Sequence, residues 1–153
     1  MLEQKDSQAI SAFPPVGLPR RQAGGQKPKV AKIAKKFQLK LVVIFGSFAN
    51  GKNRADSDLD VAVLSSKEIS FKEQINLTNE LAAVFNKDID LSVLNKANPL
   101  LLFQASKNPI LLYGNREEFL KFKLYAFNVY NDYAPYFEME NNLNKRLINA
   151  YAN

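Results

Sequence analysis

Apolar residues along this chain fall into short runs separated by polar loops, and the period of each run predicts an element. Val30, Ile33, Ala34 and Phe37 recur at helical spacing, with Lys32, Lys35 and Lys36 on the other face. Pro28 suits the first turn of that helix. Leu39 to Phe45 is apolar enough for a strand buried on both faces. A second strand is predicted over Asp58–Ser65. A helix follows from Ser70 to Asn86, on a stripe of Phe71, Ile75, Leu81, Ala82 and Phe85. Ser70 with Glu73 three residues on is a capping-box pattern. Ile89–Leu94 alternates like a strand, and Ile110–Tyr113 is a short one closed by Gly114. Between them Pro99–Ser106 reads as a short helix. Arg116 to about Tyr133 is a longer helix, which Pro135 is expected to interrupt before helix resumes over Glu140–Tyr151. The link from the first strand to the second is too short for a parallel crossover with a full helix. The two are therefore expected to pair antiparallel within a mixed sheet.

The polar loop between those strands concentrates the chemistry. Gly46-Ser47 stands where the first strand ends. Asp58 and Asp60, spaced by one residue, stand where the second begins. Alternate strand residues share a face, so the two carboxylates point the same way while Leu59, Val61 and Val63 face the core. Like charges so placed repel unless a cation lies between them, and a hard divalent ion such as Mg²⁺ suits oxygen donors. Glycine at the preceding turn lets backbone approach a ligand, and exposed N–H groups with a hydroxyl suit phosphate. Asp90, flanked by Ile89 and Leu91, lies inside the third strand and is the preferred third carboxylate. Asp88 has the same parity and is the competing choice.

Composition narrows the chemistry further. The 153 residues contain no Cys and no His, which removes disulfides, thiolate or imidazole ligands and the commonest general base. Carboxylates must then carry any metal or acid–base work. Net charge is +6, yet residues 1–40 hold nine Lys/Arg against Glu3 and Asp6, and the remainder is net −1. Basicity thus belongs to the N-terminal arm, and nucleic-acid binding is not expected of the core. Nor does any apolar run reach the ~18 residues of a membrane span. A polar N-terminus without a signal-peptide core makes a cytoplasmic protein the default.

Gly46-Ser47, ten residues, then Asp58-Leu59-Asp60 resembles the signature of the DNA polymerase β-like nucleotidyltransferases. Phe45-Gly46-Ser47-Phe48-Ala49, Arg54 and Ser57-Asp58-Leu59-Asp60 look like the minimal nucleotidyltransferases, as does the run from Asn95 to Gly114. The resemblance covers roughly Lys29–Leu120. It implies an α/β (α+β) nucleotidyltransferase fold, with a mixed sheet of three to four strands and helices packed on it. Outside it, Pro14-Pro15, Gly17, Pro19 and Gly24-Gly25 break regular structure and mark 1–26 as a flexible arm, ahead of a nucleotidyltransferase domain over 27–114. A helical segment over 115–153 follows, whose aromatic residues at helical spacing either pack on the sheet or dock a partner.

By the same resemblance Asp58, Asp60 and Asp90 are catalytic and bind Mg²⁺, with ATP as substrate. Gly46 and Ser47 hold the β,γ-phosphates. Arg54, or less well Lys52, neutralises charge on the leaving pyrophosphate. Similarity is strongest to the antitoxin half of HEPN–MNT toxin–antitoxin pairs, which transfers AMP from ATP to a tyrosine of a HEPN toxin in a type VII-like system. Asn50 stands where many relatives carry a basic residue. Two alternatives stand beside this. One is a small-molecule enzyme of the aminoglycoside type, for which 115–153 is a short acceptor domain. The other is a non-catalytic antitoxin that neutralises by binding.

Overall fold

A computed structural model describes residues 20–51 and 56–152. The first described element, helix α1 (Arg20–Lys36), leads into strand β1 (Leu39–Ile44) and a single-turn helix α2 (Gly46–Ala49). Strand β2 (Leu59–Ser65), helix α3 (Phe71–Phe85) and strand β3 (Ile89–Val93) follow. A 3₁₀ turn (Leu94–Lys96), helix α4 (Pro99–Ser106), strand β4 (Ile110–Tyr113) and the 36-residue helix α5 (Arg116–Tyr151) complete the order.

The four strands form one mixed sheet in the order β3-β2-β1-β4. As the loop length required, β1 pairs antiparallel with β2, and it pairs antiparallel with β4 on its other side. Strand β3 joins β2 in parallel, with α3 as the crossover. Strand β1 is the central element, and all of it except Lys40 is buried. Side-chain alternation divides the core in two. Val42, Ile44, Leu59 and Val61 face α1 and α3, whose Val30, Ala34, Leu77 and Leu81 close over them. Leu41, Val43 and Ala62 face the other way, against Leu102 of α4 and Phe122 and Ala126 of α5.

Local signals fix the ends of several elements. Glu73 N–H donates to Ser70 Oγ (3.2 Å) and Ser70 N–H donates to Glu73 Oε2 (2.8 Å), so the capping box forms. Helix α3 stops at Asn86, which takes a left-handed conformation (φ 51°). The carboxamides of Asn98 and Asn115 accept backbone N–H groups at the starts of α4 and α5 (2.8 Å each).

Four expectations need correction. Helix α1 begins at Arg20 with Pro28 inside it, so the boundary placed at 26/27 falls within a helix. Proline removes the bond to the Gly24 carbonyl, but the turns beyond it are anchored by buried Val30 and Ala34. Residues 1–19 of the arm lie outside the described residues. Strand β2 begins at Leu59, leaving Asp58 just before it. Phe71 and Ile75 are exposed, and the stripe that buries α3 is centred on Leu77 and Leu81. Helix α5 runs unbroken through Pro135. That proline is exposed, so water can serve the carbonyl it frees.

Candidate active site

Three chain segments converge at one end of β1 and β2. The first is the β1–α2 turn. Gly46 adopts φ +71°, a conformation open to glycine, and a Cβ there would overlap the Asp60 carboxylate, with Cγ 3.0 Å away. The turn therefore lies directly against Asp60. Phe45 N–H donates to the Asp60 carbonyl (3.0 Å), and Ser47 N–H donates to the Asp60 carboxylate. Phe48 and Ala49 are buried and hold α2 to the body, while no side chain caps its start.

The second and third segments are the starts of β2 and β3. Their parallel register sets Asp60 beside Asp90. Both share a face with Ala62, on the side covered further along the sheet by α4 and α5. At the strand starts that cover is incomplete: Asp60 is half-buried, and Asp58 and Asp90 are exposed. Asp88 precedes β3, where its carbonyl accepts Leu59 N–H (2.9 Å), and its side chain is exposed. Of the two rival aspartates, Asp90 is thus the one paired with Asp60.

Electrostatics tie the three carboxylates together. Burial pushes the Asp60 carboxyl up, the nearby charges of Asp90 and Asp58 push it further, and the Ser47 N–H opposes them. Three carboxylates that repel one another and lack thiolate or imidazole company suit a hard divalent cation by donor type. Among the described residues, no three His, Cys, Asp or Glu side chains are gathered as a ready metal cage. Gly46, Ser47, Asp58, Asp60 and Asp90 are thus brought together. Arg54 and Lys52 lie outside the described residues.

A cavity of about 490 Å³ opens beside Asp58, lined also by Asp56, Ser57, Asn86, Lys87 and Asp88. Sequence reasoning passed over Lys87. Its ammonium lies 4.6 Å from the ring centroid of Phe48, joining the α3–β3 turn to α2. A single lysine in a turn has no periodicity to announce it; its position three residues before Asp90 was the available signal.

The family described as Polymerase beta, Nucleotidyltransferase matches residues 28–118. The chain belongs to this family. It is 28% identical over 93 residues to protein adenylyltransferase MntA of Shewanella oneidensis, spanning 61% of this chain and 67% of that protein. A Methanocaldococcus jannaschii protein named as a putative protein adenylyltransferase is 33% identical over 75 residues, or 49% of this chain and 81% of that one. Among solved structures, a toxin–antitoxin complex with AMP-PNP superposes with a TM-score of 0.67 at 24% identity, covering 76% of this chain and 97% of that one. A chain from the tri-AMPylated Shewanella oneidensis HEPN toxin in complex with MNT antitoxin gives 0.65 at 22%, covering 79% and 98%. At these identities the superpositions establish the nucleotidyltransferase fold.

Proposed function

We propose that this nucleotidyltransferase transfers AMP from ATP to a protein hydroxyl, a tyrosine of a HEPN-type toxin, and so acts as the antitoxin of the pair. The observation that carries the reading is the register of Asp60 on Asp90, with Asp58 beside them and the Gly46-Ser47 turn against Asp60. The acceptor class follows from the relatives named as protein adenylyltransferases and from the fold shared with a complex holding an AMPylated HEPN toxin.

In this reading Gly46 and Ser47 hold the β,γ-phosphates through backbone N–H groups and the hydroxyl. Asp58, Asp60 and Asp90 would hold magnesium, which neutralises phosphate charge and lowers the barrier to displacement at phosphorus. Asp90, exposed at the start of the edge strand, is the proposed group that takes the acceptor's hydroxyl proton. The tyrosine oxygen bonds to the α-phosphorus, the bond to the bridging α,β-oxygen breaks, and pyrophosphate leaves. Arg54 is the proposed cation for that leaving group. The acceptor reaches the site by docking on the exposed face of α5.

Position-specific labelling tests this. Full-length protein, magnesium and a co-purified HEPN partner are incubated with ATP labelled at the α- or the γ-phosphate. Label is expected in the partner from α-labelled ATP alone, and is expected to vanish when its acceptor tyrosine is replaced by Phe. Label from the γ-position would make the reaction a phosphoryl transfer and overturn the proposal.

A further inference from the structure

Helix α2 carries the proposed phosphate-holding turn, yet little fixes it. It is one turn long, and its start has no side-chain cap. Its hold on the domain comes through buried Phe48 and Ala49. Phe48 is 2% exposed and packs in the core between β1, β2 and α3. The Lys87 ammonium covers its ring at 4.6 Å. Lys87 follows the αL residue that ends α3 and precedes Asp88, whose carbonyl accepts Leu59 N–H at 2.9 Å. One lysine therefore stands where the Gly46-Ser47 helix, the start of β2 with Asp58 and Asp60, and the start of β3 with Asp90 meet. Phe48 lies on the first face of the sheet and the Asp60–Asp90 pair on the second, so Lys87 acts from behind the site.

We infer that Lys87 is a positioning residue, which through the face of Phe48 sets the Gly46-Ser47 turn against Asp60 and Asp90 for nucleotide binding. A cation on an aromatic face constrains where the ring lies, and this ring is buried and carried by a helix of only four residues. Release of that contact lets α2 shift relative to β2, and misplacement of about 1 Å is enough to weaken a site that works by orientation. Lys87 also supplies a positive charge in a cavity wall that otherwise carries Asp56, Asp58 and Asp88. The inference rests on the reading of Gly46 and Ser47 as the nucleotide-holding turn.

The test compares the wild-type full chain with Lys87→Met, Lys87→Gln and Lys87→Arg in three measurements. These are amide resonances of Gly46 and Ser47, affinity for AMP-PNP with magnesium, and thermal midpoint. The two charge-free variants are expected to displace both amide resonances and to bind AMP-PNP roughly fivefold more weakly. Their midpoints are expected to stay near the wild type, because Lys87 is only half-buried. The Arg variant, which keeps a cation for the ring, is expected to restore both readouts. Unmoved Gly46 and Ser47 resonances in Lys87→Met and Lys87→Gln would overturn the inference, as would failure of Lys87→Arg to rescue. If the wild type binds no AMP-PNP, the functional reading falls, while the resonances still decide whether Lys87 sets the turn.

Discussion

Gly46 shows how closely one residue can be constrained by a site. Its φ of +71° and the Asp60 carboxylate where a Cβ would stand exclude a side chain on two independent grounds. Gly46→Ala is expected to cost on the order of 1–3 kcal/mol and to abolish nucleotide binding, read by urea unfolding and by AMP-PNP titration. Asp60 is a different case, a carboxylate held at a cost to the fold. Its carboxyl is raised by burial and then by Asp90 and Asp58. A raised carboxylate contributes stability below its unfolded pKa and loses it as pH rises through the folded value. At neutral pH the ionised group is therefore a liability in the metal-free protein. Asp60→Asn is expected to raise the midpoint by a few °C at pH 7 and by much less near pH 3, while nucleotide transfer is lost. A lower midpoint at pH 7 would contradict the repulsion argument. The proximity of Asp58 to Asp60 was legible from their spacing, although Asp58 lies just before the strand and not within its alternation. The approach of Gly46 to Asp60 was not, because it depends on how two strands lie in register.

Elements were legible where periodicity and end signals agree. The Ser70–Glu73 capping box was readable as four letters, and it forms. Ser70→Ala is expected to destabilise the domain by about 1 kcal/mol in urea unfolding and to leave nucleotide affinity unchanged. A loss of affinity instead would mean that α3 transmits strain to the Asp90 strand. The parallel pairing of β2 with β3 was not read from the sequence. It uses α3 as a crossover, and its register sets Asp90 rather than Asp88 beside Asp60, a placement that parity alone could not give. Proline misled twice. At Pro28 the preference of proline for a first turn, and at Pro135 the rule that proline breaks a helix, marked boundaries that are absent. Each proline sits where flanking turns sustain the helix: packing beyond Pro28 and straight-chain residues such as Glu138, Glu140 and Lys145 beyond Pro135. The apolar stripe assigned to α3 went astray for another reason. Phe71 and Ile75 fit the period, but they lie in the first turns of the helix and remain exposed.

At the scale of the whole molecule, α5 is longer than the core it packs on. Its first half buries Phe122 and Ala126 against the sheet, and Tyr130 stacks on Phe103 at 3.9 Å between ring centroids. From Glu138 to Ala152 every residue is exposed, a length of roughly 20 Å of helix left uncovered by the described residues. Tyr136, Met139, Leu143 and Leu147 recur there at helical spacing. A solitary helix of that length is marginal in water, and its apolar stripe gains nothing until it is covered. Tyr125 and Tyr133, 59% and 48% exposed, add aromatic anchors nearer the body. Docking of the proposed HEPN-type partner on this surface would cover the stripe and fix the acceptor hydroxyl at the site, a gain from orientation rather than new chemistry. Truncation after Phe137 removes no buried residue among those described, so the thermal midpoint and the AMP-PNP affinity are expected to hold. Partner capture is expected to fall at least tenfold, and the fall in label transfer to match it. Tyr125→Ser with Tyr133→Ser is expected to act in the same direction more weakly. If the truncated chain still captures and labels the partner at wild-type levels, the docking surface lies on the body of the domain, and the projecting half of α5 has no part in delivering the acceptor.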